Sequence, residues 1–512
     1  MLSKVFSAGL VGIDAFLVEV EVDIAFGLAT WSTVGLPEST VRESRERVIG
    51  AVRNSGYHFE KQKITINLAP ANVKKGGTAF DLPIAIGLLA SSGLIPREAL
   101  VDYLIVGELS LRGEVKPVPG ILPIALFAKN TQLKKLILPV ANLPEAAVTR
   151  DVTLLGVQSL SELVQHFTGE RPLRPPAIHP SFPPAGTSSS STLHDFSDIK
   201  GQPQAKRALE VAAAGGHNLL LMGPPGSGKT MLAQRFPTIL PDMTFEEALE
   251  TTKIYSVVGL LNGQGPLIHQ RPFRSPHHTI SAPGLAGGGT VPRPGEISLA
   301  HHGVLFLDEF SEFRKDVLEV LRQPLESGKV TIARSLSTLT FPANFTLVAS
   351  TNPCPCGFRG SQGQDCYCTV RQLQNYRSRL SGPLLDRIDI QLEVPRLKYQ
   401  ELIDRGEGEN SSKIRSRVLK ARQIQTARFQ GSKMSTNSQM SGRLLKKFCV
   451  IDSQGARLLE QAVEKLSLSA RAYDRILRVA RTIADLAALE SVQSEHLAEA
   501  IHYRSLDRNS KL

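Results

Sequence analysis

Apolar and polar residues follow different rhythms along this chain, and the changes of rhythm divide it. Ala15–Phe26 and Lys63–Leu68 alternate with the period of strands that bury one face, whereas Ser39–Ser55 and Asp81–Ser91 repeat at helical spacing. Asp81–Ala90 follows a glycine pair, Gly76-Gly77, and predicts a buried helix. Gly107–Val115 predicts a hairpin turning at Leu111-Arg112-Gly113. Further on, three short continuous apolar runs predict buried strands: Asn218–Met222, Val304–Leu307 and Phe345–Thr351. Helical spacing returns at Ala205–Ala214, at Met231–Phe236, and then at Leu458–Ala462, Ser469–Leu489 and Leu497–Tyr503. Between the first and second regions, Pro172, Pro175, Pro176, Pro180, Pro183 and Pro184 precede Ser188–Ser191, a composition that fits a mobile hinge. The pattern predicts an α/β domain over 1–168, a linker over 169–195, an α/β core with a parallel sheet over 196–395, and a helical domain over 396–512.

Length agrees: 512 residues exceed what one core holds and suggest about three domains. No uncharged apolar run is long enough to span a bilayer. Asp14, Glu19, Glu21 and Asp23 interrupt the apolar N-terminus early, so a signal peptide is not expected. The expectation is a cytoplasmic protein without a membrane partner. The net charge of +11 is uneven: between Ser411 and Val450 stand ten basic residues and no acidic one. Such a stripe suits a polyanion, and the alternative is a solvated helix face near a nucleotide. Its only aromatics are Phe429 and Phe448, so phosphate contact is expected rather than base stacking.

Chemistry concentrates after the first apolar run. Gly223-Pro224-Pro225-Gly226-Ser227-Gly228-Lys229-Thr230 lies between a predicted strand and a predicted helix, the context a phosphate-binding loop requires. Its backbone amides can turn inward on phosphates, Lys229 supplies a point charge, and the Thr230 hydroxyl can hold magnesium. ATP and Mg2+ are the expected cofactors. The second apolar run ends in Asp308-Glu309. Asp308 can hold magnesium through water, and Glu309 can act as general base. The third ends at Asn352, whose amide can reach the γ-phosphate. Arg387, in Leu384-Leu385-Asp386-Arg387-Ile388-Asp389, is the candidate for a guanidinium inserted across a subunit boundary, with Arg379 as runner-up; the alternative is a salt bridge to Asp386 or Asp389. Arg471, at the start of the helix Ser469–Leu489, is placed to reach nucleotide in cis, with Arg475 next.

Five cysteines are present, and four cluster as Cys354-Pro355-Cys356 and Cys366-Tyr367-Cys368. In a cytoplasmic chain this favours metal over disulfide. A structural Zn2+ bound by four thiolates is the leading expectation, although C-x-C is tighter than the commonest zinc spacing. Free thiols are the alternative. The adjacent pairs His277-His278 and His301-His302 have poor geometry for one ion and are assigned a structural part.

In their order, these motifs resemble the AAA+ superfamily. Two insertions narrow the resemblance: Arg271–Ser281 with Pro294–His301, and the hairpin Glu326–Ser335 carrying Lys329 and Arg334. Both are similar to insertions of the magnesium-chelatase ATPase subunit and the minichromosome-maintenance helicases, where they protrude into the pore of a ring. The region 1–168 resembles the Lon protease domain, yet no serine stands near Gly77-Thr78-Ala79 and Leu122 occupies the lysine position, which implies a protease-like fold without the dyad. The whole chain resembles the YifB/ComM subfamily of magnesium-chelatase-like ATPases. That resemblance implies a homo-hexamer formed with nucleotide, a Lon-like N-terminal domain open to a protein partner, and a lid at the C-terminus. In such ATPases Ile199 would contact the adenine. It also implies DNA, single-stranded or branched, as the substrate of a helicase promoting branch migration in natural transformation. The alternative is a chelatase-like or chaperone-like ATPase that remodels a protein.

Overall fold

The computed structural model describes residues 1–58, 62–176, 194–261, 265–289, 292–334, 337–360, 364–380, 382–397, 401, 408–432, 434–466, 468–504 and 506. Most of the predicted linker, 177–193, and Gly363 of the cysteine loop lie outside the described residues. The chain forms two compact units, Met1–Pro184 with Thr244–His269, and Ala185–Met243 with Gln270–Leu512.

In the first unit, Leu2–Val11 and Asp14–Ala25 make a long antiparallel hairpin, with Leu2 opposite Asp23 and Val11 opposite Asp14. Alternation along it buries Val18, Val20 and Val22 on one face. The hairpin sits within a seven-stranded sheet ordered Thr30–Val34, Lys63–Ala69, Asp14–Ala25, Leu2–Val11, Tyr103–Ile105, Lys135–Pro139 and Thr153–Val157. The helix Asp81–Ser91 is buried throughout and packs on the hairpin, as a helix without a polar face must. Arg47 clamps its first residue, Asp81, at 2.6 and 3.0 Å; burial raises the Asp81 carboxyl, and the guanidinium opposes that rise. The expected helix 39–55 is two helices, Ser39–Arg42 and Ser44–Asn54.

Thr244–His269 packs in this first unit, although it falls inside the interval 196–395 that the sequence pattern assigns to the core. Its helix Phe245–Val258 opens with a capping box between Thr244 and Glu247. It lies along Ile121–Lys129, where Gly120 N–H donates to the Ser256 carbonyl at 2.9 Å and Leu122 and Val148 bury Leu267. Leu122 N–H and the Ser256 hydroxyl both donate to Glu145, whose carboxyl burial pushes above its ordinary value. Helical spacing reveals that a face will be buried, but not which surface buries it. Leu122, at the Lon-like lysine position, is fully buried, and the Thr78 hydroxyl donates to Glu108.

The second unit is built on five parallel strands ordered Phe273–Arg274, Val304–Leu307, Thr346–Thr351, Leu219–Met222 and Ile390–Glu393. Both faces are covered, which is why these strands read as continuous apolar runs rather than alternations. Leu219, Leu221, Val304, Phe306, Val348 and Ile390 share one core with the helices Pro203–Gly215, Ser411–Arg428 and Ala470–Leu486. The predicted helix at 469–489 is thus present, with the Ser469 hydroxyl capping it by accepting from Ala472 N–H at 3.2 Å. Two hairpins form apart from that sheet: Gly287–Gly288 with Arg293–Pro294, and Lys329–Arg334 with Ser337–Pro342. Arg274 fastens the base of the first insertion to Glu296 at 2.6 and 2.7 Å. Among the described residues no helix is long and apolar enough to cross a membrane.

Candidate functional site

The site forms where three neighbouring strands of the parallel sheet end side by side. Leu219–Met222 is central, with Thr346–Thr351 and Ile390–Glu393 on its two flanks. The chain leaves it through Gly223, whose N–H donates to the Thr351 carbonyl at 3.1 Å. A Cβ on Gly223 would lie 2.2 Å from the Val394 carbonyl oxygen, so no other residue fits. The loop ends at Gly228, and Lys229 opens the helix Lys229–Arg235. The Ser227 hydroxyl is buried with no partner among the described residues.

Lys229 is buried and donates to the carbonyls of Gly223 and Pro224 at 2.8 and 3.0 Å and to Asn352 Oδ1 at 3.3 Å. Burial lowers its amine from the usual value, while Asp308 and Glu309 act in the other direction. Thr230 Oγ1 donates to Asp308 Oδ2 at 2.8 Å, and Ser350 and the Glu309 amide both donate to Asp308 Oδ1. Thr230 and Asp308 offer hard oxygen ligands at one point, a donor set that suits magnesium. Lys229, Thr230, Asp308 and Asn352 come from three separate stretches of sequence and are joined by direct hydrogen bonds. Glu309 is exposed and takes a left-handed backbone, φ 52°.

The four candidate arginines differ in what they contact. Arg387 is buried, and its guanidinium donates to the Pro383 carbonyl and pairs with Glu326, neither of which is the Asp386 or Asp389 considered from the sequence. Arg379 is half exposed and pairs with Glu312 at 2.8 Å. Arg475 is consumed by Asp389 at 2.5 Å, whereas Arg471 is exposed in the first turn of its helix. Burial would raise the Asp389 carboxyl, but the charge of Arg475 and a hydrogen bond with His217 outweigh it and hold that carboxyl below the carboxylate range. Ile199 is wholly buried in the core beside Phe196.

Part of the basic stripe is paired within the fold. Arg415 pairs with Asp242, Arg417 with Glu210 and Glu409, and Arg428 with Asp485; Arg422 donates to the Ala213 carbonyl at 2.8 Å. Their partners come from other segments, so counting charges along the sequence overstates what faces solvent. Lys413, Lys420, Arg443, Lys446 and Lys447 remain exposed.

Of the histidines, His301 has the expected structural part, accepting from Asn344 N–H at 3.0 Å. His278 does not: its Nδ1 lies 3.3 Å from Glu309 Oε2, beside the candidate base. No spacing rule pointed to this pair, because the edge strand that precedes His278 meets the carboxylate strand only in the folded sheet.

The thiols of Cys354, Cys356, Cys366 and Cys368 converge, all within 4.8 Å of one another. Cys354 Sγ lies 3.3 Å from Cys356 Sγ and 3.7 Å from Cys366 Sγ, and Cys356 to Cys366 is 3.6 Å. These separations are too long for a disulfide of about 2.05 Å. They approach the edge of about 3.8 Å expected for four sulfurs about 2.3 Å from one tetrahedral zinc ion.

Comparison with known proteins agrees with this architecture. The model described as magnesium chelatase, subunit ChlI, matches residues 195–402; that described as subunit ChlI of Mg-chelatase matches 20–142; and the ChlI C-terminal model matches 408–504. The competence protein ComM of Haemophilus influenzae is 44% identical over 510 residues, covering 99% of this chain and 98% of its own. The YifB protein of Escherichia coli is 44% identical over 509 residues, with the same coverage. A Lon protease of Lachnoclostridium phytofermentans is 26% identical over 160 residues, 29% of this chain and 20% of its own. With full-length relatives at this identity and family models matching each of its regions, the chain belongs to the YifB/ComM subfamily of magnesium-chelatase-like AAA+ ATPases.

Proposed function

We propose that this chain is a cytoplasmic ATP-hydrolysing motor that assembles with nucleotide into a hexameric ring and remodels single-stranded or branched DNA. The observation that carries the reading is the convergence of Lys229, Thr230, Asp308, Glu309 and Asn352 at one end of the parallel sheet. The amides of 223–228 and the Lys229 amine hold the phosphates, and Arg471 reaches them from the lid. Glu309 takes the proton of the attacking water, and Asn352, beside Lys229, orients the γ-phosphate. Thr230 and Asp308 would hold magnesium, which neutralises phosphate charge when bound. The four thiols would hold zinc. Without an amine at Leu122, the N-terminal domain acts as a docking surface rather than a peptidase.

Arg387 acts in trans in this reading, exchanging Glu326 for a neighbour's nucleotide. Arg387→Ala is expected to lose ATP turnover while keeping nucleotide affinity. Mixing it with Glu309→Gln should restore activity at shared sites; mixtures no more active than either variant alone would remove Arg387 from that role.

Support for DNA comes from the relative named a competence protein and from the insertions. Lys329 and Arg334 are exposed on one hairpin, and the Cβ position of Gly288 on the other lies 3.6 Å from Arg334 Nη2. With the exposed Arg293, the two hairpins present their basic ends together. ATP hydrolysis should therefore rise with single-stranded or forked DNA, and Lys329→Ala with Arg334→Ala should abolish the rise. Indifference to both DNAs would favour the protein-remodelling alternative.

A further inference from the structure

The cysteine loop begins where the phosphate site ends. Asn352 closes the strand Thr346–Thr351, and Cys354 follows two residues later, fully buried. Its thiol accepts from Arg359 N–H at 3.4 Å, and its carbonyl accepts from Gly357 N–H at 2.9 Å, which makes a tight turn. Gly357 has φ 85°, and a Cβ there would stand 2.7 Å from Pro225 Cδ and 3.9 Å from Asn352 Cγ. The turn from Cys354 to Gly357 thus comes so close to the second proline of the phosphate loop that no side chain fits between them, on the side where Asn352 lies. Four sulfurs within 4.8 Å of one another leave room for a single ion, not for a cluster with sulfides between several metals. All four ligand positions are filled by protein, the closed arrangement of a structural ion rather than a reactive one.

We infer that one zinc ion, held by Cys354, Cys356, Cys366 and Cys368, braces the phosphate loop through Gly357 and Pro225 and fixes Asn352 beside Lys229, so that metal and nucleotide bind cooperatively. The inference rests on the ATPase reading above and adds a control to its site. The physical cause is entropic. Closing the loop with metal–thiolate bonds removes conformations from a glycine-containing segment, and that order is passed to Pro225 by contact. Without the ion the turn loses its cross-link, and the phosphate loop loses one wall. Because the coupling is between two binding equilibria, it is reciprocal: nucleotide tightens the hold on zinc by the factor by which zinc tightens the hold on nucleotide.

The experiment uses the full-length chain. Metal content is read by elemental analysis, and affinity for a fluorescent ATP analogue is measured in the zinc-loaded protein, after stripping by a chelator, and after zinc is restored. Zinc release to a chromogenic chelator is titrated with and without a slowly hydrolysed ATP analogue. One zinc per chain is expected, with nucleotide affinity falling roughly tenfold on stripping and recovering with zinc, inside the usual range of coupling between sites. Zinc retention should strengthen by the same factor when nucleotide is bound. Cys366→Ser with Cys368→Ser should lose the metal. Gly357→Ala should instead keep it and still bind nucleotide more weakly, because its Cβ displaces Pro225. A chain that contains no zinc, or that binds nucleotide equally with and without it, overturns the inference while leaving the ATPase reading intact. A zinc-loaded chain that binds no nucleotide overturns the ATPase reading itself.

Discussion

Glu309→Gln is expected to bind ATP normally and to hydrolyse it about 10²–10⁴-fold more slowly, the range general base catalysis contributes. The substitution keeps the side chain's size and its hydrogen bonding but removes its ability to accept a proton. Binding should survive because the groups proposed to hold the phosphates, Lys229, Thr230 and the amides of 223–228, do not depend on Glu309. Asp308 stays fixed by Thr230 and Ser350. Single-turnover hydrolysis with a separate nucleotide titration checks both halves of the expectation. A variant that turns over at the normal rate would show that another group activates the water. The neighbouring His278, 3.3 Å from Glu309 Oε2, makes the comparison sharper, because glutamine can still bond to the imidazole. Loss of rate in Glu309→Gln therefore reports the missing base and not a displaced side chain.

Asp485→Ala is expected to destabilise the second unit by about 3–5 kcal/mol, the cost of leaving a buried charge without its partner. Asp485 is wholly buried and accepts from Arg428 at 2.7 and 2.5 Å, from Arg481 at 3.1 Å and from Asn437 at 2.7 Å. Arg481 is 1% exposed and Arg428 10%, so water cannot replace the lost carboxylate. Denaturant unfolding followed by circular dichroism, compared with Lys446→Ala on the exposed face of the same region, measures the difference. The lysine change should stay within about 0.5 kcal/mol, as surface substitutions do. Equal effects from the two would mean that Arg428 and Arg481 find other partners.

This asymmetry explains how the sequence misled about charge. Ten basic residues with no acid among them read as one exposed stripe, yet Arg415, Arg417 and Arg428 are matched by Asp242, Glu210, Glu409 and Asp485. The motifs fared better because each is local. The strand–loop–helix order around the glycine-rich loop was legible from a few consecutive residues, and the structure has it as Leu219–Met222 followed by Lys229–Arg235. So were the carboxylates at the end of Val304–Leu307 and the amide after Thr346–Thr351.

What the sequence determined by itself was the order of the main elements it marked, among them the three apolar strands Leu219–Met222, Val304–Leu307 and Thr346–Thr351, and the residue types standing at their ends. Side-chain period and helical hydrogen bonding are set by residues close in sequence, so they can be read without knowing the rest of the fold. Only the tertiary structure decided that Phe245–Val258 leaves its sequence neighbours for the first unit, that Arg387 turns inward to Glu326, and that His278 faces Glu309. It also brought two separated C-x-C pairs to one point, and Gly357 between them close to Pro225. In each case the deciding interaction joins residues far apart in sequence. A buried charge or an apolar face requires a partner, but its own sequence does not say which one the fold will supply.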